Sequence, residues 1–233
     1  VEPVDAVLVA VKTWQVRDVA QAMKPMLKPG TMVVPFLNGV EAPTQIDDVL
    51  GSGHAVGGLS KIFSLLESPG VIRHFSQAAI VAFNELDGRA SERVNALKDA
   101  FEGAGVDVEI PADVTRALWE KLIMVTSWAG IGALSRTPLG GLRDDPTMRS
   151  MITTSIDETV AVARAHGIDI ADGLHKVLWS FYDELPAGAT ASLMRDMMDE
   201  RPSELEAWNG AVHRLGEARG VPTPTHTLVY HLL

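Results

Sequence analysis

The sequence of 233 residues contains no cysteine. Disulfides, thiolate nucleophiles and cysteine-ligated zinc or iron–sulfur centres are therefore excluded. Positive charge is also scarce: 20 Lys and Arg stand against 30 Asp and Glu, a net charge of −10, with no basic cluster. Such a chain binds a phosphate backbone poorly, so no nucleic-acid partner is expected. The longest uncharged stretch, Leu122 to Ser135, is too short and too rich in small residues to span a bilayer. No charged segment followed by an apolar run opens the chain, so no signal peptide is visible and no membrane partner is expected. These absences together lead us to expect a cytoplasmic protein. Segments of the GxSxG, HExxH and Walker A types are missing as well. Gly51-Ser52-Gly53 with Gly57 misses the GxGxxG spacing and precedes a strand, so it is no dinucleotide fingerprint. The seven histidines are scattered, and His226 and His231 stand five apart, off a common helix face. No metal site is expected.

What is present is an ordinary globular composition, 46% hydrophobic and 21% charged, long enough to bury a core. Ala6 to Val11 is a continuous apolar run, the pattern of a strand buried on both faces. Val16, Val19, Ala20, Met23 and Met26 follow at helical spacing until Pro29-Gly30, and Thr31 to Phe36 is strand-like again. This is a parallel strand–helix–strand unit. Ala55 to Phe63, Val71 to His74 and Ala79 to Phe83 read as further strands. Ser91 is placed to cap a helix marked by Val94, Leu97, Phe101 and Ala104, and Val106 to Ile110 makes a last strand. Beyond Pro111 only helical periodicity remains: Ile152, Ile156, Val160 and Ala163 trace one helix, and Leu205, Trp208, Val212 and Leu215 another. The expected architecture is an α/β domain over residues 1–112 and an all-α domain over residues 113–233. The chain opens Val1-Glu2-Pro3-Val4, without an initiator Met, and enters a strand almost at once. Sequence upstream is expected to have been removed.

Three groups of residues could carry chemistry. An open parallel sheet binds ligands beyond the carboxyl ends of its strands. There the chain places Lys12, in Val11-Lys12-Thr13-Trp14-Gln15, and Asn38, in Leu37-Asn38-Gly39-Val40. A cation and an amide suit an anionic or amide-bearing ligand, although a solvated lysine and a simple Asn-Gly turn fit the same residues. Lys121 lies at the start of the most apolar helix, sharing a face with Val125 and Ala129. Desolvation on such a stripe would make it a usable proton donor, and a lysine snorkelling from a helix end is the alternative. Ser192 and Asp196 share a third face, and Ser203 could cap a helix beginning near Glu204.

In this order the segments resemble the ketopantoate reductase (2-dehydropantoate 2-reductase) family. Val11-Lys12-Thr13-Trp14-Gln15 and Leu37-Asn38-Gly39-Val40 are similar to its two decorated Rossmann strand ends. Pro69 to His74 and Asn84 to Gly88 are similar to its linking strands. Trp119-Glu120-Lys121-Leu122 resembles the segment with its catalytic lysine, and Ala191 to Asp196 and Ser203 to Gly210 its substrate-side helices. The likeness covers essentially the whole chain. It implies a partial Rossmann-like domain followed by a helical domain for substrate and dimerisation, and NADPH-dependent reduction of a 2-oxo acid, 2-dehydropantoate to pantoate in pantothenate biosynthesis. By this resemblance Lys121 is the general acid and Glu204 its catalytic companion. Ser192 and Asp196 serve the substrate, Asn38 holds the lysine or the nicotinamide, and Lys12 borders the cofactor cleft. A homodimer would form through the helical domain.

The sequence departs from the family in two ways. Val125 and Ala129 stand where the family usually carries Asn, which leaves room for a less polar 2-oxo acid. The family's opening strand, Gly-rich turn and helix are not in the sequence, about two strand–helix units. Two other functions fit the residues. One is a non-catalytic dimerisation module built on Met194, Met197 and Met198. The other is a β-hydroxyacid dehydrogenase relative, against which the Ser192, Asp196 and Glu204 segments argue. Without a pyrophosphate-binding turn, this chain is expected to bind NADPH weakly and to turn over little. Titration of the purified chain, with its mass verified as 25.0 kDa, checks this. Oxidation of NADPH at an ordinary enzyme rate would refute it.

Overall fold

The computed structural model describes residues 2–74 and 79–233; Val1 and residues 75–78 lie outside it. The chain divides into two compact units, Val1–Leu118 and Trp119–Leu233, the first α/β and the second helical.

In the first unit β1 (Ala6–Val9) runs parallel to β2 (Met32–Pro35), joined through α1 (Val16–Met23). After α2 (Ala42–Leu50), a parallel bridge from Val33 to Ala55 leads into β3 (Gly57–Lys61). β3 pairs antiparallel with β6 (Ile80–Asn84), and β6 parallel with β7 (Asp107–Glu109). β2 is buried along its whole length because its alternating side chains serve two cores. Val33 points to a cluster with Val16 and Met23 of α1 and Ile46 of α2. Met32 and Val34 point to one with Phe83 and with Val94 of α3 (Glu92–Gly103). There Phe36, Phe83 and Phe101 meet with ring centroids 5.9–6.3 Å apart.

Two expectations need correction here. β1 is not buried on both faces: Leu8 is 49% exposed, and the only strand that β1 pairs with among the described residues is β2. The other is an omission: α2 was read as loop. Pro43 falls in its first turn, where proline costs no helical hydrogen bond, so the proline that suggested a break marks a start. The run Ala55 to Phe63 also proves to end at Lys61. β4 (Ser64–Ser68) and β5 (Val71–His74) form a separate exposed hairpin.

The end of the unit is held by a buried polar motif. Asn84 donates from Nδ2 to the Pro111 carbonyl at 2.9 Å, while Glu85 accepts from Ser91 Oγ and from Arg93 at 2.5–2.8 Å. The Arg93 guanidinium holds the Glu85 carboxyl below the usual carboxylate range. Gly88 has φ +72°, and a Cβ there would lie 2.4 Å from the Ala112 carbonyl oxygen. Only glycine fits this turn. Ser91 caps α3 as expected, its hydroxyl accepting from the Val94 amide at 3.3 Å.

No strand occurs among the described residues of the helical unit. Its helices are α4 (Val114–Ser135, begun in the first unit), α5 (Leu139–Asp144), α6 (Pro146–Ala165), α7 (Leu174–Glu184), α8 (Ser192–Met198), α9 (Asn209–Glu217) and α10 (Pro224–Leu232). Tyr182 pins α7 to α4: its buried hydroxyl donates to the Met124 carbonyl at 2.7 Å and meets Ser127 Oγ at 2.8 Å. Burial pushes that phenol well above its ordinary pKa. Arg143 of α5 donates to the carbonyls of Tyr182 and Leu185, closing the end of α7.

Three helices converge on His226, which is fully buried. Its Nε2 lies 3.0 Å from the Ser155 carbonyl, an acceptor only, so Nε2 carries the proton. Nδ1 therefore accepts from Asn209 Nδ2 at 3.0 Å. Thr159 Oγ1 and Ser155 Oγ lie 2.8 and 3.0 Å from Nε2. Glu158 accepts from the Thr225 and His226 amides at 2.9 and 3.1 Å, satisfying first-turn donors of α10. Residues of α6, α9 and α10 thus share one hydrogen-bonded node.

Two stability tests follow from this packing. A Cβ at Gly130 would lie 2.4 Å from Val229 Cγ1 and 3.0 Å from Asn209 Oδ1. Gly130→Ala gains about 1 kcal/mol of helix propensity but is opposed by an overpacking cost of about 1–3 kcal/mol. Chemical denaturation should show net destabilisation; a more stable variant would mean that α10 yields readily. Burial also lowers the pKa of His226, with Glu158 opposing in part. The unfolded chain then binds a proton more readily below about pH 6.5. The stability from neutral His226 is full above that pH and is lost as pH falls toward the lowered folded value, at up to about 1.4 kcal/mol per pH unit. His226→Gln should flatten the stability–pH curve in that window. Parallel curves for the two proteins would show that His226 does not titrate there.

Candidate active site

In the α/β unit the sequence-predicted residues Lys12 and Asn38 are placed together by strand register. Val9 pairs with Pro35, and each candidate lies three residues beyond its member of that pair. Phe36 N donates to the Val9 carbonyl at 2.8 Å, holding the two strand ends level. After β1 the chain makes a short 3₁₀ turn, Thr13–Gln15, fixed by the Lys12 amide donating to Gln15 Oε1 at 3.1 Å. The Lys12 ammonium sits 5.9 Å from the centroid of the Trp14 ring, and that ring is half exposed. After β2, Asn38 is partly buried and Gly39 turns the chain at φ +96°. A cation, an amide and an open aromatic face therefore stand at the carboxyl ends of two adjacent parallel strands, the ligand side of such a sheet.

In the helical unit, Lys121 does not lie at a helix start. α4 begins at Val114, so Lys121 is about two turns inside a helix of 22 residues, and the reading as a lysine reaching out from a helix end is removed. The expectation had taken the apolar segment for the whole helix. Lys121 is partly buried, and Val125 and Ala129 succeed it on the same face. Ala129 packs in one cluster with Leu193 and Trp208, against which Val125, Ala191, Met197, Leu205 and Ala207 also pack. Ser192 lies between Ala191 and Leu193, and Glu204 precedes Leu205. Lys121, Ser192 and Glu204 consequently border one apolar cluster, reached from α4, from α8 and from the segment before α9.

That last segment differs from expectation. Glu204 to Trp208 is a run of turns, and the helix expected from Glu204 begins at Asn209. Trp208 has φ −107° and ψ −93°, and the Gly210 amide donates to the Leu205 carbonyl five residues back. Helical spacing of apolar residues cannot register such a widened first turn. Ser203 still contributes, its Oγ accepting from the Leu205 amide at 3.4 Å.

Asp196 is buried and structural in its contacts. It accepts from Arg201 Nε at 3.2 Å and Nη2 at 3.0 Å, and Arg201 also pairs with Asp199 at 2.9 Å. One arginine thus folds the end of α8 back toward Ser203 and Glu204. Arg201 and Asn209 were not singled out in the sequence. Both act through contacts made only after the chain turns, so no local pattern announces them. Met194 of the methionine stretch is core, its sulfur 2.7 Å from where a Cβ at Gly132 would sit, whereas Met198 is 59% exposed.

This arrangement of an α/β unit with functional strand ends, followed by a helical unit with a lysine on an apolar face, is shared with known oxidoreductases. Residues 1–87 match the family described as ketopantoate reductase PanE/ApbA, and residues 113–233 match its C-terminal region. The chain belongs to the ketopantoate reductase family. It is 30% identical over 234 residues to the 2-dehydropantoate 2-reductase of Caulobacter vibrioides, covering 99% of this chain and 77% of that protein. It is 27% identical over 226 residues to an uncharacterized oxidoreductase, YkpB, of Bacillus subtilis, covering 97% and 75%. Among solved structures, 2-dehydropantoate 2-reductase from Geobacter metallireducens superposes with a TM-score of 0.91 at 27% identity, covering 100% of this chain and 77% of that one. No described helix is long and apolar enough to cross a membrane.

Proposed function

We propose that this chain carries the substrate and acid–base machinery for NADPH-dependent reduction of a 2-oxo acid to a 2-hydroxy acid. Conversion of 2-dehydropantoate to pantoate is the reaction to test first. The carrying observation is the place of Lys121, partly buried in the middle of α4, with Ser192 and Glu204 bordering the same apolar cluster. The residues at the strand ends suit a nicotinamide cofactor: Lys12 can face an anionic group, Asn38 can pair with a carboxamide or with the lysine, and Trp14 offers an open ring. When bound, such a cofactor supplies the hydride that adds to the keto carbon.

The chain's own part is to receive the charge that this addition develops. As the carbonyl oxygen becomes an alkoxide, the Lys121 ammonium stabilises it and delivers the proton from Nζ. Ser192 donates a hydrogen bond to the substrate carboxylate. Glu204 holds the substrate carbonyl or hydroxyl side and balances the lysine charge. Asp196 acts through Arg201 by fixing the chain between Ser192 and Glu204. The apolar cluster excludes water from the proton donor, which strengthens each of these interactions.

The same reading makes the protein a cytoplasmic enzyme acting on a small acid. A homodimer through the helical unit accords with Leu228 and Leu232, one turn apart on α10 and 52% and 64% exposed. Removing a positioned general acid lowers rate by about 10²–10⁴-fold. Lys121→Met should therefore lower kcat/KM for 2-dehydropantoate by that factor, relative to the turnover the unaltered chain sustains with excess NADPH. Its melting temperature should change little. A variant that turns over at the parent rate would remove Lys121 from the mechanism.

A further inference from the structure

The helix wall next to Lys121 is apolar for two turns. Val125 and Ala129 follow at four-residue intervals, about 6 Å apart along the axis, so the three side chains form one column. Ala129 is buried, but Val125 keeps part of its surface open. Opposite them stand Ala191 and Met197 of α8 and Leu205 of the turn segment, all partly exposed and packed on the same cluster. The cluster therefore reaches the surface between Lys121, Ser192 and Glu204 instead of closing beneath them. Its one polar atom, the Trp208 indole N–H, is buried out of reach. A substrate methyl set against Val125 and Met197 leaves water for apolar contact. A hydroxyl set there loses its water and finds no hydrogen-bond partner on that wall.

We infer that the substrate is a 2-oxo acid with a branched alkyl side chain, in preference to one bearing a side-chain hydroxyl. The inference rests on the reductase reading above and narrows it. In this arrangement Ser192 and Lys121 take the carboxylate and keto oxygens that all 2-oxo acids share, while Val125, Met197 and Leu205 meet the part that differs.

Trimethylpyruvate has the carbon skeleton of 2-dehydropantoate without its terminal hydroxyl, so the pair isolates that one group. Both acids are titrated into the intact chain with excess NADPH present, and Kd is read from ligand-observed NMR. Trimethylpyruvate should bind at least about tenfold more tightly, the scale on which an apolar pocket discriminates against an added hydroxyl. Val125→Asn, which sets an amide on the wall, should bring the ratio to one or below. Val125→Thr, closer in shape, should move it the same way and guards against a folding defect in the first variant. Equal or tighter binding of 2-dehydropantoate, or a ratio that neither variant moves, would overturn the inference while leaving the reductase reading intact. Binding of neither acid, or binding of both undiminished in Lys121→Met, would instead overturn the reductase reading, and the inference with it.

Discussion

The helical unit depends on a single imidazole. His226 is fully buried, and its two nitrogens are committed in opposite senses: Nε2–H toward the Ser155 carbonyl, Nδ1 toward the Asn209 amide. Neither commitment survives protonation or a change of tautomer, because Nδ1 would then present a second donor to a donor. Asn209 is the first residue of α9 and adjoins Trp208, which lies in the apolar cluster beside Glu204. The node thus fixes where the turn segment carrying Glu204 ends. Glu158 adds a charge-assisted cap on α10 within the same node. A buried network of this kind is stabilising only when it is nearly complete. Here one atom is left over, the Asn209 Oδ1, which finds no partner.

Around this node α4 supplies the surface on which the others pack. Gly130 admits Val229 and Asn209, Gly132 admits Met194, and Ser127 meets Tyr182. Small residues along one helix let three neighbours approach closely, and that closeness leaves Lys121 only partly exposed. The small-residue run Leu122 to Ser135 excluded a membrane span by its length. In the fold it serves as a packing surface.

Much of the architecture was legible because local patterns match local structure. The change from mixed strand and helix to helix alone, the Ser91 cap of α3 and the strand ends at Lys12 and Asn38 all follow from periodicity and turn chemistry. Other features eluded that reading for definite reasons. α2 was hidden because Pro43 signals a break in the interior of a helix but fits its first turn. Leu8 was taken as buried because an apolar run does not say whether a strand has a neighbour on both sides. The turns from Glu204 to Trp208 kept helical spacing of apolar residues although the backbone there is not helical.

By itself, the sequence determined which chemical groups the protein has to work with: a lysine on an apolar stripe, an amide and a cation after two strands, and no thiol anywhere. Those are matters of composition and spacing along a few residues, and they persist in any fold that keeps the local elements. Only the tertiary structure decided that Lys121 lies two turns inside a helix, that Ser192 and Glu204 border the same cluster, and that Arg201 and Asn209 hold the intervening chain. Each of these depends on contacts between residues far apart in sequence. Such contacts form only when burial of distant apolar groups offsets the entropy of closing the loops between them.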